Sequence, residues 1–157
     1  MAKTKEAPAC SIARAAEIVG EWWTLLILRD VAFYRVHRFD DLQRSLGIAR
    51  NILTSRLRRL VDAGVLETRL YSEHPPRYEY HVTEKGQELS SVLYALLEWG
   101  DRHARSDAPP VRVEHTRCGT ALRTSLTCPQ CRIIVPDDER RINRDARARR
   151  HARHART

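Results

Sequence analysis

Residues 38–83 read RFDDLQRSLGIARNILTSRLRRLVDAGVLETRLYSEHPPRYEYHVT, and this stretch decides the fold. Phe39, Leu42 and Leu46 share one side of a short helix over 38–46, and Gly47 with Ile48 supplies a turn. Leu53, Leu57, Leu60 and Val61 then recur at i, i+4, i+7 and i+8, which is one stripe of a helix over 50–63. Advancing about 100° per residue puts Asn51, Ser55, Arg58 and Arg59 on the opposite side, flanked by Arg50 and Thr54. Five arginines fall between Arg44 and Arg59, with no acid before Asp62. Gly64 stands where a left-handed residue closes a helix, and Ala49 is a poor N-cap that leaves backbone N–H groups free for an anion. Alternation predicts strands over 65–71 and 77–82, joined at Glu73-His74-Pro75-Pro76, where proline cannot join a ladder. Tyr78, Tyr80 and Val82 share one strand face; Arg77, Glu79 and His81 share the other. Helix, turn, helix and ribbon define a mainly α, winged helix-turn-helix (α+β) class. Arginine opposite a buried stripe suits a DNA major groove.

Outward from this stretch, Gly20 divides a helical pattern into segments over 11–19 and 22–32. The run WWTLLILRDVAF from Trp22 is too apolar for a surface helix and is expected to be core. After the ribbon, Thr83, Glu84 and Gly86 open a long helix to about His103. Its Leu89, Val92, Leu93, Leu96, Leu97 and Trp99 exceed what one small core needs, which points to a subunit interface. The expected organisation is a polar, flexible N-terminus (1–9), a main domain (10–104), a Pro-containing linker (105–111), a small cysteine-bearing module (112–136) and an arginine-rich, disordered tail (137–157). No internal repeat is expected.

The net charge of +8 is unevenly spread over the 157 residues. From Arg140 to Thr157 there are eight arginines and one acid, a net of +7, which leaves +1 on the rest. Overall charge therefore points to a polyanionic partner through the tail, and DNA contact by the folded part rests on local clustering. No apolar run approaches the roughly 18 residues that span a bilayer, and MAKTKEAPAC lacks a signal-peptide core. A cytoplasmic, nucleoid-associated protein without a membrane partner is expected. In that compartment four cysteines read as thiols or metal ligands rather than disulfides.

The motifs CSIARAAEIVGEWWTLLILRD, RFDDLQRSLGIARNILTSRLRRLVDAGVLE and PPRYEYHVTEKGQEL followed by LLEWGDRH resemble those of the HxlR-type winged-helix transcriptional regulators, relatives of the MarR group. The likeness spans residues 10 to about 104. It implies homodimers built through the N-terminal helix and the long C-terminal helix. It also implies that the helix over 50–63 enters the major groove of double-stranded DNA, with the hairpin near His74 to Arg77 reaching the flanking groove or backbone. Some members sense electrophiles or oxidants through a cysteine at the position of Cys10. The candidate DNA contacts are therefore Arg50, Asn51, Thr54, Ser55, Arg58 and Arg59 on the helix, and Arg69 and Arg77 on the wing. Arg56 points sideways and suits a structural role. Glu67 and Glu79 equally suit a strand pair whose charges are balanced internally.

Cys10 sits just ahead of the first helix. Oxidation or alkylation there changes the side chain's size and charge, so it is a candidate sensor of a small-molecule or electrophile effector. In the C-terminal module His115-x2-Cys118 and Cys128-x2-Cys131 supply four soft ligands at the spacing of a compact zinc ribbon. These are the expected ligands of a structural Zn²⁺. Gly119 fits a knuckle turn, whereas Arg132 stands where the second knuckle would carry glycine. A metal-free CPQC redox pair is the rival reading, but the βαβ context of such a motif is absent. No grouping of nucleophile and base and no glycine-rich phosphate loop suggests an enzyme. The expected function is a dimeric, sequence-specific DNA-binding regulator, a repressor by preference, on a pseudo-palindromic operator. A winged helix that binds protein, with the zinc ribbon used for docking, is the alternative.

Overall fold

A computed structural model describes residues 10–142; the N-terminal 1–9 and most of the arginine tail, 143–157, lie outside the described residues. Two units are distinguished, Met1–Ser90 and Ser91–Thr157. The first contains helices α1 (Ser11–Val19), α2 (Trp22–Ala32), α3 (Phe39–Leu46) and α4 (Arg50–Asp62), strands β1 (Leu66–Glu73) and β2 (Pro76–Val82), and the short helix α5 (Glu84–Glu88). Helix α6 (Ser90–His103) belongs almost wholly to the second.

The stripe legible in α4 is the core of the first unit. Leu53, Leu57 and Leu60 are essentially inaccessible, as are Ile27, Leu28 and Val31 of α2, Leu42 of α3, and Val65 and Leu66 at the start of the wing. Burying a side chain of this size contributes about 1.5–3 kcal/mol, so these nine dominate the unit's stability. The turn between α3 and α4 is made by Gly47, at φ +62°, while Gly64, at φ +67°, follows the C-cap of α4. Both positions use a left-handed backbone that glycine adopts without a Cβ penalty. Ala49 caps α4 without any side-chain hydrogen bond, as its chemistry requires.

Three details differ from the sequence reading. Trp22 is 64% exposed, so the apolar run beginning there is not all core; only the inward side of α2 is buried. Pro76 is not confined to the hairpin tip but opens β2 opposite Glu73. A first strand position tolerates proline because no ladder donor is needed there, and separately one extra residue, Tyr71, shifts the register of β1 between Leu70 and Ser72. The helix expected from 83 to 103 is interrupted at Leu89, whose N–H bonds Gly86 O at 3.1 Å in the tighter i→i+3 manner. Thr83 accepts from Gly86 N at 3.1 Å and caps α5.

Within α2, Asp30 is fully buried among apolar neighbours. Its two oxygens accept from Arg29 Nε at 2.7 Å and Ser45 Oγ at 2.6 Å, which ties α2 to the end of α3. The wing is likewise tied to the α2–α3 connection. His37 O accepts from Tyr80 N at 2.8 Å, His37 Nδ1 meets Tyr80 O at 2.9 Å, and Arg38 bridges to Glu79 in antiparallel fashion. The His37 and His81 rings stack at 4.2 Å. These contacts explain why residues 79–82 of β2 are partly covered on both faces instead of alternating.

In the second unit, residues 112–136 form two short hairpins with isolated bridges at Glu114–Ala121 and Thr127–Ile134. Thr124 donates through both N and Oγ1 to Glu98 Oε2 of α6, at 2.8 and 2.5 Å. These bonds, with Arg102 beside them, hold the Glu98 carboxyl below its ordinary pKa. Among the described residues, no helix is long and apolar enough to cross a membrane.

Candidate nucleic-acid interface

Helix α4 carries its buried leucines on one side, so the remaining positions are forced outward. Arg50, Asn51, Thr54, Ser55, Arg58 and Arg59 are all exposed and, with Asp62, line one shallow depression. All six α4 residues singled out from sequence are thus brought together on one surface. Their surface partners are weak. Arg58 Nε lies 3.9 Å from Asp62, and Arg50 Nη1 lies 3.5 Å from Asp40 while its guanidinium covers the Phe39 ring at 4.7 Å. Exposed pairs of this kind contribute at most about 1 kcal/mol, so a phosphate or base edge can compete for the guanidiniums. Arg59 donates to the Glu17 carbonyl at the end of α1. Thr54 Oγ1 donates back to Arg50 O at 2.8 Å, which orients its methyl group and leaves the hydroxyl oxygen able to accept.

Arg56 behaves differently. Its side chain is only 22% exposed and pairs with Glu21 at the N-cap of α2. It fastens α4 to α2, as its sideways projection suggests.

The wing arginines also diverge. Arg69 donates through Nε and Nη2 to Glu67 on its own strand, at 2.8 and 2.6 Å. The Arg77 side chain has no hydrogen-bond or ion-pair partner among the described residues and stands exposed next to the tip. Glu79 does not balance it, because Arg38 holds that carboxylate at 3.0 Å. The bond from Arg38 pulls the Glu79 carboxyl below its ordinary pKa, and raises that of Arg38 itself. Arg38 also sits over the Tyr71 ring at 4.5 Å. Sequence reasoning missed Arg38. The residue precedes a helix as an unremarkable N-cap, and its partners come from the far end of the ribbon.

Cys10 is exposed and occupies the N-cap of α1, with its carbonyl accepting from Arg14 N at 3.1 Å. The C-terminal candidates fall into two pairs. His115 Nδ1 lies 3.2 Å from Cys118 Sγ, and the Cys128 thiol contacts that of Cys131. Thr120 draws the Cys118 thiol below its ordinary pKa, while backbone N–H groups of Cys131 and Gln130 do the same for Cys128. Among the described residues, no three His, Cys, Asp or Glu side chains are gathered at one point to hold a metal.

A helix-turn-helix with a β wing and an open, arginine-lined second helix is the architecture of DNA-binding transcriptional regulators. The family model for the HxlR-like helix-turn-helix matches residues 18–108. An uncharacterised HTH-type transcriptional regulator of Mycobacterium tuberculosis is 46% identical over 122 residues, 77% of each chain. Among solved structures, PA1607, a candidate transcription factor, is 34% identical with a TM-score of 0.75, covering 87% of this chain and 96% of that one. The redox regulator HypR in its reduced form is 25% identical with a TM-score of 0.56, covering 60% of this chain and 94% of that one. The chain belongs to the HxlR-like helix-turn-helix family of transcriptional regulators.

Proposed function

We propose that the chain acts as a homodimeric repressor that binds a pseudo-palindromic operator in double-stranded DNA. The observation that carries this reading is the α4 surface, on which Arg50, Asn51, Thr54, Ser55, Arg58 and Arg59 surround one depression with only Asp62 among them. Asn51 and Ser55 have the donors and acceptors to read base edges, and the arginines can either fork onto guanine or hold phosphate. Arg77, unpaired next to the wing tip, is the better wing contact. Arg69 must first give up Glu67.

Dimerisation is supported by apolar surface that each chain leaves open. None of α1 is buried and Ile12 is 80% exposed, while α6 exposes Val92, Leu96 and Trp99 by 46, 47 and 61%. Two half-sites about 34–36 Å apart would match a two-fold dimer. Control by an oxidant or electrophile acting on Cys10 is supported by the thiol's exposure and by the likeness to HypR, a redox regulator.

Selection of bound duplexes from random-sequence or genomic DNA tests the reading. The expected result is one enriched motif with two inverted half-sites, bound by two chains and lost from the Asn51→Ala, Arg58→Ala double variant. Binding without sequence preference, or full binding by that variant, would overturn it. Alkylation of a variant in which Cys10 is the sole cysteine should change operator affinity; an unchanged affinity removes the sensor.

A further inference from the structure

The two hairpins of the C-terminal module repeat one another at an offset of 13 residues, although their sequences, VEHTRCGTAL (113–122) and LTCPQCRIIV (126–135), scarcely match. In the first, Leu122 N bonds Val113 O at 2.7 Å, His115 N bonds Thr120 O at 2.9 Å, and Gly119 N bonds His115 O at 2.8 Å. In the second, Val135 N bonds Leu126 O at 2.8 Å, Cys128 N bonds Ile133 O at 3.0 Å, and Arg132 N bonds Cys128 O at 2.8 Å. The isolated bridges are displaced by the same interval. Sequence inspection found no repeat because the repeat lies in the backbone. Within it His115 corresponds to Cys128, and Cys118 to Cys131.

The agreement extends to the residue after each second ligand. Gly119 is left-handed at φ +69° and Arg132 at φ +59°. Glycine adopts that conformation freely, whereas arginine is strained in it. The second hairpin therefore makes the same turn without the residue that suits it. In both, that turn sets the two ligands of an x-x pair side by side. A tetrahedral zinc ion, with bonds of about 2.3 Å to sulfur and 2.0 Å to nitrogen, places an imidazole nitrogen and a thiolate about 3.5 Å apart. His115 Nδ1 and Cys118 Sγ are already 3.2 Å apart.

No residue over 112–136 is buried, and Leu122, Leu126, Ile133 and Ile134 are 54–67% exposed. Hairpins of this size, with no core, need another source of cohesion. We propose that His115, Cys118, Cys128 and Cys131 together bind one Zn²⁺ as a closed structural site. Each hairpin supplies a two-ligand half-site, and the ion draws the halves together, releasing the thiol protons as it binds. Three thiolates and an imidazole are a soft set suited to Zn²⁺, and four protein ligands leave no position for a reacting water. The site is independent of the DNA-binding reading.

Metal analysis of the full chain, expressed with zinc and purified without chelators, tests this. One zinc per chain is expected, with X-ray absorption giving three sulfur neighbours at about 2.3 Å and one nitrogen at about 2.0 Å. The Cys128→Ser, Cys131→Ser variant should lose the metal, and Cys10→Ser should keep it. A zinc-free chain after expression and direct titration with zinc would overturn the proposal. So would one zinc per two chains, or stoichiometric zinc retained by the double variant. If that variant does not fold, cobalt added to the zinc-depleted wild-type chain decides the matter: tetrahedral thiolate bands support the site, and octahedral or absent bands sink it.

Discussion

Among the four arginines of α4, burial separates two jobs. Arg58 is 84% exposed on its side chain and faces only Asp62, whereas Arg56 is 22% exposed and pairs with Glu21. Arg58→Ala should leave stability within about 0.5 kcal/mol of the parent, since it removes a surface side chain away from any packed feature. On the proposed reading, its cost should fall on operator binding. If the guanidinium forks onto a guanine, about 1–3 kcal/mol of discrimination is lost at that base; if it holds phosphate, the salt slope drops by about 0.9 with no change in preference. Competition binding against operator variants at several salt concentrations separates the two outcomes, and unchanged binding in both measurements would remove Arg58 from the interface. Arg56→Ala inverts the pattern. Glu21 loses its partner in a partly covered site, so stability should fall by about 1–3 kcal/mol, read from urea unfolding midpoints. The rotation of α4 was legible because leucines at helical spacing fix which side is inward. Asp30 was not legible in the same way. A carboxylate inside an apolar run carries no periodic signal, and its partner Ser45 lies on another helix.

The elements of the first unit were foreseen to within a residue or two wherever punctuation is local: Gly20, Gly47 and Gly64 mark their ends. What joins the elements was not foreseen, because it depends on long-range pairs. The wing illustrates this. Its register sets Arg69 opposite Glu79, yet Glu79 accepts from Arg38, the N-cap of α3. Glu79 is depressed below its ordinary carboxylate pKa, first by Arg38 and then by His81. A carboxylate lowered in the folded state stabilises above its unfolded pKa, and that contribution disappears as pH falls through the folded pKa. The link between wing and α2–α3 connection should therefore loosen in acid, at pH values below the ordinary carboxylate range. Hydrogen exchange at Tyr80 N, which bonds His37 O, reads it directly. Arg38→Met should move the loosening to higher pH. An unaltered pH profile in that variant would show that Arg38 is not the cause. Gly86 is a second long-range constraint. A Cβ there would meet Val65 O at 2.2 Å, against a backbone atom that cannot swing away. Gly86→Ala should cost several kcal/mol by forcing α5 off the wing, at the upper end of single-residue effects. A thermal midpoint within a few degrees of the parent would refute it.

At the scale of the whole molecule, the sequence suggested a second copy twice, through apolar surplus on the last long helix and through the family resemblance of its motifs. An α6 with Val92, Leu96 and Trp99 near half or more exposed leaves apolar surface that one chain does not cover. The repeated hairpins further along could not be read from residue identity, because Thr, Gly and Ala in one correspond to Ile, Arg and Ile in the other. Charge is the other property of the molecule as a whole. Residues 143–157 carry six arginines against one aspartate, and they lie outside the described residues. If they contact phosphate, their deletion should lower the slope of log affinity against log salt by up to about 5, from roughly 0.9 per neutralised phosphate. The preferred operator should not change, because such contacts carry no base information. Replacing Leu96 and Trp99 of α6 with glutamate has a different signature. If α6 forms the proposed dimer interface, two charges set into it cannot be paired or solvated there, and the chains should separate. A lone chain holds one half-site, and operator affinity should fall steeply while the helical signal persists. Sedimentation at binding concentrations, read beside titration of single and paired half-sites, distinguishes the cases. A variant that still sediments as two chains would move the interface away from α6. A variant that is one chain yet binds the full operator as tightly as the parent would remove the need for a dimer altogether.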